Sequence, residues 1–266
     1  MTQDFRSQSE QFIPLSEDTR LVLDAPRRLQ LEVGESKNWD EVSVLSSGER
    51  RVISVDIHVA ARAKGRMVRT FFVPRGARLT ILHKVTVEAG GEWEAAVCVK
   101  GEGEVVIRRA IDLSGPGAKL ALYCIARMSH LGRITVSDEA FHLAKDTESK
   151  ICTKIVLDHE AKSFIRARVC VESQAVGSFI DERINQMIFG DSAAAAIPEL
   201  EVKTDQVKSG HAATVSKPTE EEIFYFVSKG LTRDEAVNSL AQGFLSSGLR
   251  GLPPERGAEA LRVLFG

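Results

Sequence analysis

The chain has 266 residues, enough for one large domain or two domains of ordinary size. Hydrophobic residues make up 43% and charged residues 27%, as in typical globular proteins, and the formal net charge is −2. This near balance argues against a nucleic-acid binder, and the sequence has no apolar run of about 18 residues that could span a membrane. Because the N-terminus also lacks a secretory apolar segment, we expect a cytoplasmic protein.

Residues 1–28 precede the first regular pattern. The opening residues, MTQDFRSQSE, are mostly polar. Chain ends of this kind are poorly ordered unless other elements hold them. We therefore predict an N-terminal segment, 1–28, that is partly disordered.

From residue 29 to residue 217 the pattern is that of successive β-strands. In the segment RVISVDIHVAA, Ile53, Val55 and Ile57 alternate with polar side chains, which is the period of a half-buried strand. Clusters of Gly, Asp, Glu and Ser separate further segments of this kind. The sequence therefore predicts a mainly β core over 29–217.

A weak internal repeat suggests how these strands are arranged. The segments that begin at Gly76, Gly117 and Glu160 each open a strand after a turn, at spacings of 41 and 43 residues. The signatures of β-propeller blades are missing. Small residues at the corners of regular coils favour a β-solenoid, slightly ahead of a sandwich or a jelly roll.

The composition then changes to that of helices, which predicts a small helical domain over 218–266. A proline and three glutamates open the first helix, and Gly230 ends it. Thr232 begins a second helix with Glu235 three residues later, the spacing of a capping box. A short third helix follows two consecutive prolines.

The cysteines show no metal-binding pattern. They lie 26, 28 and 18 residues apart, and none forms a CxxC pair. Each lies in an apolar segment, which predicts buried free thiols that pack as small hydrophobic residues. The four are Cys98, Cys124, Cys152 and Cys170.

Motifs of common enzyme classes are missing from the sequence. It contains no P-loop, no GxSxG nucleophile elbow and no HExxH metal pair. Scattered carboxylates can pair across a solenoid groove, as in enzymes that cleave acidic polysaccharides, but surface carboxylates are the default. The sequence therefore gives no sign of these enzyme classes, and a carbohydrate-active β-helix is the remotest alternative.

One histidine of the six stands out by its surroundings. His211 lies between Gly210 and Ala212, where the last strand gives way to the helical domain. Small neighbours leave its imidazole accessible, and neutral imidazole is a good ligand for iron or zinc. The alternative is a junction histidine that hydrogen-bonds to the backbone.

The C-terminal third resembles the SufB/SufD family of iron–sulfur cluster assembly proteins. The matching stretch, residues 198–244, reads PELEVKTDQVKSGHAATVSKPTEEEIFYFVSKGLTRDEAVNSLAQGF. It follows the family order of Pro, Leu-Glu, Val, His, paired Glu, Phe-Tyr, Gly, Glu-Ala and Gly-Phe without a gap. The chain is shorter than is usual for the family, and it is similar to SufD or to a minimal member.

The resemblance implies a right-handed parallel β-helix followed by a helical domain. Family members are non-enzymatic subunits of a complex with SufC, an ABC-type ATPase that docks on the helical tail. Two β-helix chains pair through their C-terminal coils, as a homodimer or with a SufB-like partner, and a transient iron–sulfur cluster assembles at that interface. The tail positions that the resemblance assigns to partner binding are Glu221, Glu222, Phe224, Tyr225, Gly230 and Phe244.

The sequence also departs from the family pattern at the cluster site. Where SufB-type members carry a cluster-binding cysteine, this chain has Ile184, and the glutamate that follows their histidine is Ala212 here. A cysteine that SufD-type members carry two residues before the histidine is Ser209. His211 is thus the remaining candidate for binding the cluster or its metal.

SufB proteins also use a cysteine deep in the β-helix to accept sulfur. Cys124, Cys152 and Cys170 are candidates for that role, but a buried thiol is a poor nucleophile. We therefore keep them as packing residues. The resemblance favours a scaffold or adaptor subunit that couples an ATPase to cluster assembly, and the alternative is a structural adaptor that docks the ATPase and binds no cluster.

Overall fold

The computed structural model describes residues 27–32 and 34–266, so the predicted segment 1–28 lies almost entirely outside the described residues. The strands are β1 Arg27–Leu31, β2 Ser36–Val44, β3 Arg50–Val59, β4 Lys64–Val73, β5 Arg78–Val87, β6 Glu92–Gly101, β7 Glu104–Leu113, β8 Lys119–Met128, β9 Arg133–His142, β10 Glu148–Leu157, β11 Lys162–Val171, β12 Phe179–Ile188, β13 Ala193–Val202 and β14 Lys208–Ser216. The helices are α1 Glu220–Val227, α2 Arg233–Leu249 and α3 Pro254–Phe265. In the described part of the chain, no helix has the length and apolarity needed to cross a membrane.

The strands form two parallel sheets of seven strands each. Sheet A contains the odd-numbered strands in the order β1-β3-β5-β7-β9-β11-β13, and sheet B contains the even-numbered strands from β2 to β14. The chain alternates between the sheets, so each pair of strands completes one coil of a solenoid. The predicted parallel β-helix with C-terminal helices is confirmed, and the sandwich and jelly roll are excluded because those folds are antiparallel.

The interior of the solenoid is filled by side chains that stack in register from coil to coil. The alternation in β3 places Ile53, Val55 and Ile57 inside, where each is at most 2% exposed. Burying one such side chain fully contributes roughly 1.5–3 kcal/mol. One of these rows runs through Ile53, Ile81, Ile107, Val136 and Ile165.

The coils repeat at a shorter interval than the sequence repeat predicted. Register neighbours are 28 residues apart at Ile53 and Ile81, not 41 or 43 as the sequence repeat gave. Gly76 lies in a turn from sheet B to sheet A, whereas Gly117 lies in a turn from sheet A to sheet B. The predicted period was therefore wrong, because it joined similar turns from opposite corners of the solenoid.

Helices α2 and α3 lie against the outer face of sheet B. Leu245 and Leu249 of α2 and Leu264 of α3 form one apolar cluster with this face. Arg256 of α3 forms an ion pair of 2.6 Å with Asp40 of β2, so the tail reaches back to the first coil of the described chain. The strand residues in the cluster are Val68, Ala96, Cys98, Ile125 and Val156.

Helix α1 packs on α2 and leaves most of its surface in solvent. Of its eight residues, only Ile223 is buried. The loop between the helices ends at Thr232, whose side chain accepts a hydrogen bond from the backbone nitrogen of Glu235. The predicted capping box at the start of α2 is thus confirmed, and a second one begins α1.

Candidate functional site

The solenoid is open at its C-terminal end, where β13 and β14 are the outermost strands of the two sheets. One strand further in, the interior residues Ile180, Glu182 and Ile184 of β12 are at most 1% exposed. By contrast every residue of β14 is exposed, and the interior positions Val215 and Val202 are 48% and 38% exposed. The last coil therefore presents apolar side chains and strand edges that a further chain can cover.

His211 lies at the centre of β14 and not in a loop, so a role as a junction histidine does not fit this position. It is in register with Glu182 of β12, and register neighbours in a parallel sheet project from the same face. Its imidazole is exposed and therefore accessible to a metal or to a partner chain.

Arg109 and Asp138 form a two-armed ion pair inside the solenoid. Nε and Nη2 of Arg109 each lie 2.7 Å from a carboxylate oxygen of Asp138, and both side chains are at most 2% exposed. The Nη1 atom of Arg109 also donates to the carbonyl oxygen of Tyr123 at 3.2 Å. Pairing of this quality offsets the desolvation of two charges, whereas an unpaired buried charge is strongly unfavourable.

The polar interior continues toward the N-terminal coils. Arg69 and Glu41 form a second buried ion pair, with Nε and Oε2 separated by 3.4 Å. His83, in register with Arg109, has a pKa far below its usual value because of burial and because Arg69 and Arg109 repel a further positive charge. Neither ring nitrogen of His83 has a hydrogen-bond partner within the described ranges, and the imidazole is neutral at physiological pH.

Glu182 extends the polar interior toward the open end. Its side chain is fully buried, and neither carboxylate oxygen has a hydrogen-bond partner in the part of the chain that the structure describes. Burial raises the pKa of Glu182 to about 7, and the carboxylate of Asp138 acts in the same direction. The last buried coil thus holds an acid that the described residues do not satisfy.

Sequence reasoning missed these interior polar groups, although a signal was present. His83 alternates in phase with Leu79, Ile81 and Val85, so the pattern already placed its side chain on the buried face of the strand. Arg109 and Glu182 interrupt their apolar faces in the same way. A polar or charged residue on the otherwise apolar face of a predicted strand was therefore the signal for a polar interior.

The cysteines are free, as predicted, and none is a register neighbour of His211. Cys124 lies inside the solenoid and Cys98 beneath the helices, and burial raises the pKa of each thiol to about 12. Cys170 is also buried, whereas Cys152 is half-buried, and burial raises the pKa of both. All four thiols stay protonated at neutral pH, which makes them poor nucleophiles.

No larger metal-binding cluster is formed within the described ranges. Groups of three or more His, Cys, Asp or Glu side chains arranged to hold a metal ion are absent among these residues. The chain has Ile184 and Ser209 at the positions where the resemblance predicted thiols of the family to lie. The open end therefore offers an imidazole from this chain but no thiolate.

The partner-binding residues predicted on α1 are mostly exposed. Phe224 and Tyr225 are 68% and 60% exposed and line an open cleft together with Glu221. Glu222 instead belongs to the capping box, since its carboxylate accepts a hydrogen bond from the backbone nitrogen of Thr219 at 2.8 Å. The exposed surface of α1, formed by Glu221, Phe224 and Tyr225, is called the α1 surface below.

The two other predicted partner-binding residues lie outside the α1 surface. Gly230, with φ of +96°, makes the turn between α1 and α2, a conformation that favours glycine. Phe244 on α2 is half-buried, and the Nζ atom of Lys154 lies 4.3 Å from the centre of its ring. Phe244 thus contacts the solenoid body.

Comparison with known proteins gives the same family over a longer stretch than the C-terminal motif. The chain matches the family model described as SUF system FeS cluster assembly, SufBD core domain, over residues 20–244. An iron-sulfur cluster assembly SufBD family protein of Methanothermobacter thermautotrophicus is 46% identical over 213 residues, which cover 74% of this chain and 52% of that protein. Proteins of the same family from Synechocystis and from Arabidopsis thaliana, the latter named as chloroplastic, are 30% and 28% identical.

These matches also set the extent of the likeness. The Synechocystis and Arabidopsis proteins align with 57% and 58% of this chain, and with 32% and 28% of their own lengths. The chain spans about half or less of the curated relatives it matches. The family model nevertheless covers most of the chain, and the solenoid agrees with the fold that the resemblance implied. The predicted resemblance is confirmed, it implies a role in iron–sulfur cluster assembly, and the chain belongs to the SufBD family.

Proposed function

We propose that this chain is a non-enzymatic scaffold subunit of an iron–sulfur cluster assembly complex. In that complex it pairs with a second β-helix chain through its open end and works with a SufC-like ABC-type ATPase. The observation that carries the proposal is the exposed last coil, with His211 at the centre of β14. Exposed strand edges and apolar interior positions are unfavourable in water and favour a covering chain.

His211 fits the role of one ligand to a cluster that the two chains share for a limited time. Iron–sulfur clusters are held mainly by thiolates, and the open end of this chain has none. The thiolates therefore come from the partner, either a SufB-like chain or a second copy that contributes its own ligands. The cluster is the cargo of the complex and leaves it after assembly.

The α1 surface is the proposed docking site of the ATPase. Aromatic residues are enriched in the central contacts of protein interfaces. Phe224 and Tyr225 are exposed and do not pack in the hydrophobic core. Helix α1 joins α2, which is packed on sheet B. A movement of the bound ATPase would therefore be transmitted through α1 and α2 to the solenoid and to its open end.

The first test measures iron and acid-labile sulfide in the chain after anaerobic co-purification with its ATPase. The proposal expects both, in matched amounts, once the β-helix partner is present. Replacing His211 by Ala should lower the iron content and leave the unfolding midpoint unchanged. Unchanged iron content in this variant would reject His211 as a ligand.

A structural adaptor that binds no cluster is the second candidate, and the lack of thiolates at the open end favours it. It predicts a stable complex with the ATPase that stays free of iron and sulfide after anaerobic reconstitution. It also predicts that the His211→Ala variant behaves like the wild-type chain.

Docking of the ATPase is best tested by substitution on the α1 surface. Deleting the tail from Thr219 would uncover the apolar face of sheet B around Ile125, so loss of binding would be ambiguous. We expect Phe224→Ser with Tyr225→Ser to weaken ATPase binding at least tenfold, because interface aromatics each contribute about 2 kcal/mol or more. The exposed Gln242→Ser on α2 is the control, and binding unaffected by the aromatic pair would refute this site.

A further inference from the structure

Among the described residues of the last buried coil, Glu182 is a buried acid whose carboxylate has no hydrogen-bond partner. Asp138 is engaged by Arg109, and Ser163 donates to the side chain of Gln186. Neither oxygen of Glu182 has a partner among these residues, although the side chain is fully buried. A buried polar group without a partner is unfavourable, and Glu182, unlike the unpartnered His83, lies directly beneath the uncovered last strand, where a ligand can reach it.

The register of the sheet brings this acid next to His211. Glu182 on β12 pairs with His211 on β14. Neighbouring strands lie about 4.7–4.9 Å apart, and the two side chains share one face. A metal ion bound at about 2.0–2.2 Å from an imidazole nitrogen and a carboxylate oxygen can bridge this separation.

We propose that Glu182 and His211 form a half-site for one divalent iron ion, which is received as a substrate of cluster assembly. Imidazole and carboxylate together suit ferrous iron as they suit zinc, whereas calcium and magnesium prefer sets made of oxygen alone, and iron is the metal that cluster assembly requires. This inference rests on the proposed function, because it specifies how the open end accepts iron. Water and the covering chain supply the remaining ligands.

The arrangement gives each residue a distinct role. His211 is exposed on the last strand and meets the ion first. Glu182 lies one coil deeper and supplies a negative charge that neutralises part of the charge of the ion. The half-site is thus built on two adjacent strands of the solenoid and not on a loop.

The test is anaerobic titration of the full chain with Fe²⁺, and with Co²⁺ as a spectroscopic probe. We expect saturable binding to the wild-type chain and a loss of affinity of at least tenfold in Glu182→Gln and in His211→Ala. The double variant should be no weaker than the weaker single variant, since both remove the same site. Asp181→Asn, at the adjacent outward position, is the matched control and should bind like the wild type.

Two outcomes would overturn the half-site. The first is wild-type affinity in Glu182→Gln, and the second is an equal loss of affinity in Asp181→Asn. If circular dichroism shows that Glu182→Gln does not fold, Glu182→Asp replaces it, because aspartate keeps the carboxylate on a shorter side chain. Unchanged Fe²⁺ affinity in both Glu182→Asp and His211→Ala would then reject the site. A wild-type chain that does not bind the ATPase, or whose complex contains no iron and sulfide, would instead reject the proposed function.

Discussion

Two interior carboxylates of the solenoid, Asp138 in a middle coil and Glu182 in the last buried coil, have opposite surroundings. In the middle, Arg109 is held by Asp138 from the next coil and by the carbonyl of Tyr123 from the facing sheet. At the open end, Glu182 has His211 as its register neighbour and no hydrogen bond within the described chain. In a solenoid each coil is completed by the next one, and Glu182 is the unpaired interior carboxylate that lies next to the uncovered coil, where another molecule can reach it.

The strongest test of this contrast removes a partner in the middle. Arg109→Met leaves Asp138 buried without its partner, and we expect a loss of about 3–5 kcal/mol in the free energy of unfolding. Urea denaturation followed by circular dichroism measures it. Arg166→Met, which breaks a solvent-exposed pair with Glu199, is the control and should lower the free energy of unfolding far less, because water screens exposed ion pairs.

Equal losses in the Arg109 and Arg166 variants would contradict the contrast. A further check replaces both members of the buried pair, as Arg109→Met with Asp138→Leu. We expect this double variant to recover much of the lost stability, because no charge is then left buried without a partner.

Two glycines allow a comparison of packing in the two regions. A Cβ atom on Gly65 would lie 2.5 Å from the ring of Trp93, whereas one on Gly210 of β14 would have no described atom within 4 Å. We expect Gly65→Ala to destabilise the chain by about 1–3 kcal/mol and Gly210→Ala to change stability by less than about 0.5 kcal/mol. Thermal unfolding of the two variants measures this difference. Because Gly210 faces outward like its register neighbour Asp181, a similar shift in both would contradict the tight interior packing at Gly65.

The pH dependence of stability tests the environment of Glu182. Burial raises its pKa to about 7 in the folded chain, against 4.5 for an ordinary glutamate, so the folded state holds a proton that the unfolded state has lost between these values. The contribution of Glu182 to stability should therefore fall as pH rises from about 4.5 to 7, by about 1–2 kcal/mol after allowance for water at the open end. Burial lowers the pKa of His83 and of His142, so their contributions rise over part of the same range, and the effect of Glu182 is read as the difference from Glu182→Gln. Denaturation without metal should show the wild-type chain losing stability relative to this variant as pH rises; a constant difference would contradict a buried acid.

The smallest effect on stability is expected at the last coil itself. Val215 and Ile155 stand in the same interior row, joined through Gln186. We expect Val215→Ser to change stability by at most about 0.5 kcal/mol and to weaken pairing with the β-helix partner, as measured by sedimentation. Ile155→Ser, in the covered part of the row, should cost at least about 2 kcal/mol, and a comparable cost at Val215 would argue against an open end.

Much of the local structure follows from the sequence alone. The alternation of Ile53, Val55 and Ile57 indicates a strand with one buried face, because successive side chains point to opposite sides. The spacing of Thr232 and Glu235 marks the start of α2, because a capping box needs these residues three positions apart. The C-terminal motif identified the family, and with it the solenoid.

The arrangement between coils was decided by the tertiary structure. Alternation shows which residues share a face, but turn lengths determine which strands become neighbours, and the sequence repeat predicted the wrong interval. The pairing of Arg109 with Asp138 and of Glu182 with His211 depends on that register. The sequence alone determined the strands, the helix caps and the family. Only the stacking of the coils determined which charged side chains pair in the interior and which acid remains unpaired at the open end.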